Sequence, residues 1–71
     1  MEKYILNIGK VKAKGIATVV AIAVLGIPKD EVGTVISRDY DCKRLKIHFT
    51  KEKLITDMGF GILDNCFDEV N

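Results

Sequence analysis

Apolar and polar residues alternate most cleanly between Arg44 and Phe49. Leu45, Ile47 and Phe49 fall on one side and Arg44, Lys46 and His48 on the other. A period of two is the signature of a half-buried strand. The segment Val32–Ser37 reads as its partner strand, joined to it through Asp39, Tyr40, Asp41 and Cys42, which are turn formers. A further strand is predicted at residues 4–14, where Val11 and Ala13 alternate with Lys10, Lys12 and Lys14 and Gly9 suggests a bend. Leu54–Thr56 is a short strand after the turn at residues 50–53. Met58–Gly61 is loop-like, and Asp64–Phe67 suits a single helical turn, followed by a short strand or tail to Asn71.

Residues 16–25 carry no charge, and two readings stay open. β-Branched residues fall on even positions from Ile16 to Val24 and alanines on odd ones, as in a strand covered on both faces. Thr18 as a cap, Gly26 as a stop and Pro28 just beyond favour instead a short buried helix at 18–25. The stop signal is the more specific of the two, so the helix is preferred. The pattern predicts a single small α+β or mostly β domain over residues 1–71, with an antiparallel sheet.

Composition narrows the class. The chain has 71 residues, 48% of them apolar and 30% charged, enough for one compact core. Eleven basic residues nearly cancel ten acidic ones, for a net charge of +1. That excludes a polybasic nucleic-acid arm and the acidic surface of a DNA mimic. The apolar stretch from Gly15 to Ile27 is shorter than the roughly 20 residues of a spanning helix. A signal-peptide reading, with cleavage after Ala23, would leave too little chain for a core. The expected setting is therefore cytoplasmic, without membrane contact, where Cys42 and Cys66 stay reduced or bind metal.

Residues 27–49 carry a resemblance. Ile27-Pro28-Lys29-Asp30-Glu31-Val32-Gly33-Thr34-Val35-Ile36, a turn, and then Arg44-Leu45-Lys46-Ile47-His48-Phe49 resembles the centre of small SH3-like barrels. The resemblance implies a barrel, and such barrels host peptide-binding, nucleic-acid-binding and structural roles. In size and character the chain is also similar to small phage and mobile-element inhibitors such as anti-CRISPR proteins. That similarity implies a protein that occupies a surface of a host nuclease.

Three chemistries suit the side chains. Cys42, His48 and Cys66, with Asp64 or Asp41 beside the cysteines, are a donor set for one structural zinc, which would staple so small a chain. Their spacing lacks the Cys-x2-Cys pairs of a strong zinc motif. The same residues also suit packing and surface roles, or a Cys42–Cys66 disulfide in an exported protein. No nucleophile motif surrounds either cysteine, Asp39 and Asp41 are ordinary turn residues, and Gly59-Phe60-Gly61 lacks the context of a phosphate loop.

Charge patterning says more. Residues 38–53 carry six basic groups against three acidic ones, whereas residues 57–71 carry four acids and no base. Arg38, Tyr40, Lys43, Arg44 and Lys46 therefore form a candidate binding surface. A protein partner is expected, with nucleic acid as the alternative. An acidic tail folded back onto the hairpin would neutralise it instead. The overall expectation is a non-enzymatic binding protein, and zinc is the only cofactor suggested.

Overall fold

The computed structural model describes all 71 residues, Met1–Asn71. The chain runs β1 (Lys3–Leu6), α1 (Ile8–Lys14), α2 (Ile16–Leu25), β2 (Gly33–Asp39), β3 (Arg44–Phe49), β4 (Leu54–Gly59), α3 (Phe60–Cys66) and β5 (Phe67–Glu69). It is an α+β fold with one antiparallel sheet in the order β4-β3-β2-β1-β5. The sheet has two free edges, so the barrel implied by the SH3-like resemblance is not formed.

The strand expected over residues 4–14 stops at Leu6. The Asn7 side chain accepts the Lys10 N–H at 3.1 Å and caps a helix instead. Alternation of Lys with Val11 and Ala13 is misleading here, because Ile8 and Val11 stand one turn apart and turn the same face to the core. α2 follows at once after Gly15. It ends at Gly26, whose left-handed backbone (φ 68°) lets its N–H reach back to Ala23 and Ile22 carbonyls. The Gly26/Pro28 stop thus marks a true helix end. The helix is not buried, however: only Ile22 lies in the core. α1 covers one of its faces, and the chain has no further layer to cover the rest.

The β2–β3–β4 meander carries most of the core. Leu45, Ile47 and Phe49 of β3 are 0–2% exposed and meet Leu6, Val11, Ile22, Leu63, Cys66 and Phe67 in one cluster. Every helix contributes to it, so α1, α2 and α3 all lie against the same face of the sheet. A methyl group on Gly33 would sit 2.7 Å from Ile47 Cγ1 and Phe49 Cε1. Only glycine lets β2 lie this close over those side chains.

Buried Glu31 fixes the long connection into β2. Its carboxylate accepts the backbone N–H of Lys51 at 2.6 Å and of Glu52 at 3.3 Å. The loop after α2 is thereby tied to the β3–β4 turn. β4 continues directly into α3, so the predicted loop at 58–61 is a strand end and a helix start.

Candidate partner-binding surface

With all helices on one face, the other face of the sheet is bare. Pairing of Lys46 with Ser37 and Asp57, and of His48 with Thr34 and Ile55, places these side chains together on it. β3 thus presents Arg44, Lys46 and His48 outward while Leu45, Ile47 and Phe49 point into the core, as the alternation predicts. On the flanking strands Ile55 is 55% exposed and Ile36 is 49% exposed. Ile36 is the extra residue where the β2–β3 register shifts between Val35 and Ser37. A bulge of this kind re-aims a side chain and increases local twist.

The hairpin tip is built by Asp39. Its carboxylate accepts the N–H groups of Asp41 and Cys42, both at 3.1 Å. The bond from Cys42 is the main reason this carboxyl is held below its usual range. Lys43 then takes a left-handed conformation (φ 55°) before the chain enters β3.

Arg38 pairs with Leu45, not with the outward residues, and so leans to the helix side of the sheet. Its guanidinium makes a two-pronged pair with Glu2, Nε to Oε2 at 3.0 Å and Nη2 to Oε1 at 2.9 Å. The Glu2 carboxyl is lowered chiefly by this bond. Arg38 also stands 5.3 Å over the Phe60 ring, and Tyr40 meets the same ring edge-on at 5.6 Å. Arg44 bonds Asp57 at 2.9 Å.

Arg38, Tyr40, Arg44 and Lys46 line one open cleft of about 710 Å³ with Asp39 and Cys42. Four of the five residues expected from the sequence are thus brought together, with Lys43 at the tip beside them. Two of the five cations and aromatics are already engaged by carboxylates that the sequence reading did not assign to them, Glu2 and Asp57. Of the acids in residues 57–71, only Asp57 neutralises a hairpin cation, through Arg44. Asp68 is held by Asn7 Nδ2 at 2.7 Å and by Lys10 Nζ at 2.6 Å, at the opposite edge of the sheet. Glu2 and Phe60 were missed because their link to Arg38 and Tyr40 is tertiary and leaves no local pattern.

The zinc donors are not assembled. Cys42 is exposed at the hairpin, His48 points out from the bare face, and Cys66 is fully buried on the helix side with its thiol pushed up by burial. Asp64 is an exposed residue of α3, and Asp41 sits at the hairpin with Cys42. Nowhere do three His, Cys, Asp or Glu side chains gather as a metal site. The sheet separates His48 from Cys66, since one points outward and the other into the core. Both cysteines are free, so the disulfide alternative is not realised either. No helix is long and apolar enough to cross a membrane. Comparison with family models, with curated proteins and with solved structures finds no match.

Proposed function

We propose that the chain is a non-catalytic binding module and that its ligand is a protein surface with acidic groups between apolar patches. One observation carries this reading: the bare sheet face, where exposed Ile36 and Ile55 flank the cations of β3. Exposed apolar side chains set beside charged ones mark a surface that another protein can cover. A nucleic-acid ligand is less well served. Arg38 and Arg44 already have carboxylates at 2.9 Å, which leaves Lys43 and Lys46 without an ion pair at this surface. Backbone tracking of nucleic acid needs a longer run of free cations.

The test is an affinity capture with the Arg44→Glu, Lys46→Glu double variant beside the parent. Both side chains are exposed, so the melting temperature is expected to change little. Loss of a salt-sensitive partner in the variant supports the reading, and unchanged capture refutes it. A CRISPR–Cas nuclease as the captured protein would narrow the proposal to an inhibitor of the anti-CRISPR kind.

A further inference from the structure

α2 is apolar on every side, yet most of it is exposed. Its inner side is set by Ile22, with Thr18 and Leu25 half-buried beside it. Ile16 is 78% exposed, Val20 52% and Val24 80%, on the opposite side. At about 100° per residue, Val19, Ala23, Ile16, Val20, Val24 and Ala17 follow one another around the helix. They form one continuous exposed arc, nearly half the circumference, without a polar side-chain atom.

Two grooves border the arc. The one shared with α1 is lined by Val19, Ala23, Lys12 and Lys29. The one toward β4 and α3 is lined by Val20, Val24, Ile62 and the Arg44–Asp57 pair. Asp57 is the only carboxylate in either groove, and Arg44 neutralises it at 2.9 Å.

Charge supplies a second observation at the same place. Lys3, Lys10, Lys12, Lys14 and Lys29 are the only charged residues from Lys3 to Lys29, so this stretch holds no acid. Lys12, Lys14 and Lys29 are exposed and take part in no ion pair. Lys14 directly precedes Gly15, the cap of α2, and the first turn of α2 carries no acidic residue. Free cations thus stand before the apolar arc, along one flank of it and beyond its end.

We propose that this side of the molecule docks on an anionic lipid surface. In this arrangement the arc of α2 lies in the bilayer interface, and Lys12, Lys14 and Lys29 stand among the headgroups. The chemistry selects this occupant. A protein interface carries about one hydrogen bond per 100–200 Å², and the arc offers no side-chain donor or acceptor. A ten-residue helix is also only about 15 Å long and 10 Å wide, far below the ~800 Å² per partner of a standard protein interface. A bilayer sets neither demand.

An interfacial helix sinks its apolar face about 5–10 Å into the boundary between headgroups and acyl chains. Half the diameter of a helix is about 5 Å, which matches the depth of the arc. A helix lying flat escapes the length limit behind the expected absence of membrane contact. β4 belongs to the sheet layer beneath α2, so its open backbone edge stays on the water side. The cation-bearing face lies on the other side of the sheet and remains free.

Cosedimentation of the full chain with vesicles of equimolar phosphatidylglycerol and phosphatidylcholine tests this, beside vesicles of phosphatidylcholine alone. Binding to the anionic vesicles is expected, at least tenfold stronger than to the neutral ones and weakened by salt. Val24→Asp should weaken it at least tenfold while leaving the circular dichroism spectrum and melting unchanged, because Val24 is largely exposed. Val20→Asp is the second variant should the first fail to fold. Lys12→Glu combined with Lys29→Glu should weaken binding to a similar degree. The chain has no Trp, so Val24→Trp reports insertion. Its emission should shift to the blue on anionic vesicles, whereas that of Ile55→Trp, on the bare sheet face, should not.

Absence of binding to anionic vesicles overturns the proposal. So does binding indifferent to both α2 variants, or a blue shift at Ile55 in place of Val24. Equal binding to neutral vesicles overturns the part given to the lysines. Self-association in sedimentation equilibrium that Val24→Asp abolishes, without vesicle binding, assigns the arc to a second copy and overturns lipid as its occupant.

Discussion

The two edges of the sheet are finished in opposite ways. β5 is three residues long and is clasped by side chains from the start of the chain: Asn7 and Lys10 both reach Asp68, and Lys10 Nζ lies 3.4 Å from the Phe67 carbonyl. β4 is six residues long, roots itself in the core through Thr56 and Met58, and offers its other side to solvent. Both edges have core anchors, Phe67 in β5 and Thr56 and Met58 in β4, but the short one is also clasped by charge and the long one is not. Electrostatic closure at a half-exposed site is weak and sensitive to salt and pH. Burial is neither. The difference makes the salt- and pH-sensitive part of the hold on β5 its Asp68 clasp, a part that β4 lacks.

Substitutions can break that comparison. Met58→Ala should have the largest effect, because the side chain is 1% exposed and its removal leaves a cavity. A loss of about 2–5 kcal/mol is expected in urea unfolding. Thr56→Val should act the other way. The buried Thr56 hydroxyl has no hydrogen-bond partner, and valine has the same shape without the stranded polar group. A gain of about 1 kcal/mol is expected; a loss would mean that the hydroxyl is satisfied in solution.

Asp68→Asn should have the smallest effect, and one that depends on pH. The Asp68 carboxyl is lowered from 3.8, first by the Lys10 bond and then by Asn7. A carboxyl lowered by folding contributes stability above its unfolded value, and that contribution is lost as pH falls through the folded one. The parent and the variant should therefore differ in melting temperature at neutral pH. The difference should begin to shrink as pH falls through 3.8 and close once the lowered folded value is passed. A difference that persists there would mean that the clasp acts by packing rather than charge. Hydrogen exchange should show the same division, with amides of β5 opening before those of β3 in the variant.

Local signals were legible in the sequence, and tertiary ones were not. The alternation at 44–49 marked β3 to the residue, because each of its faces meets a single environment. The Gly26/Pro28 punctuation marked the end of α2. The Lys-Val-Lys-Ala-Lys run at 10–14 misled because a short helix with one buried residue leaves the same alternation as a strand. Asn7 was the cue that separates them, and it is a cap only if the chain turns there. The hydrophobicity of α2 was read as burial. It reflects instead two apolar stripes, one of which the fold leaves exposed. Four of five surface residues converge as expected, yet Glu2, Asp57 and Phe60, which decide how free they are, lie far from the hairpin tip in the chain or give no pattern.

Tyr4 pairs with Glu69, and the Val70 N–H donates to the Lys3 carbonyl at 2.8 Å. The strands most distant in the sequence are therefore neighbours in the sheet. Closing so long a loop costs chain entropy that no local contact repays. The β2–β3–β4 meander needs only short hairpin closures and can form first. β1 and β5 then meet as a late event that cinches the structure, much as a belt is fastened after the garment is on. A chain pulled by those two strands would yield first at this buckle, with the meander still intact behind it.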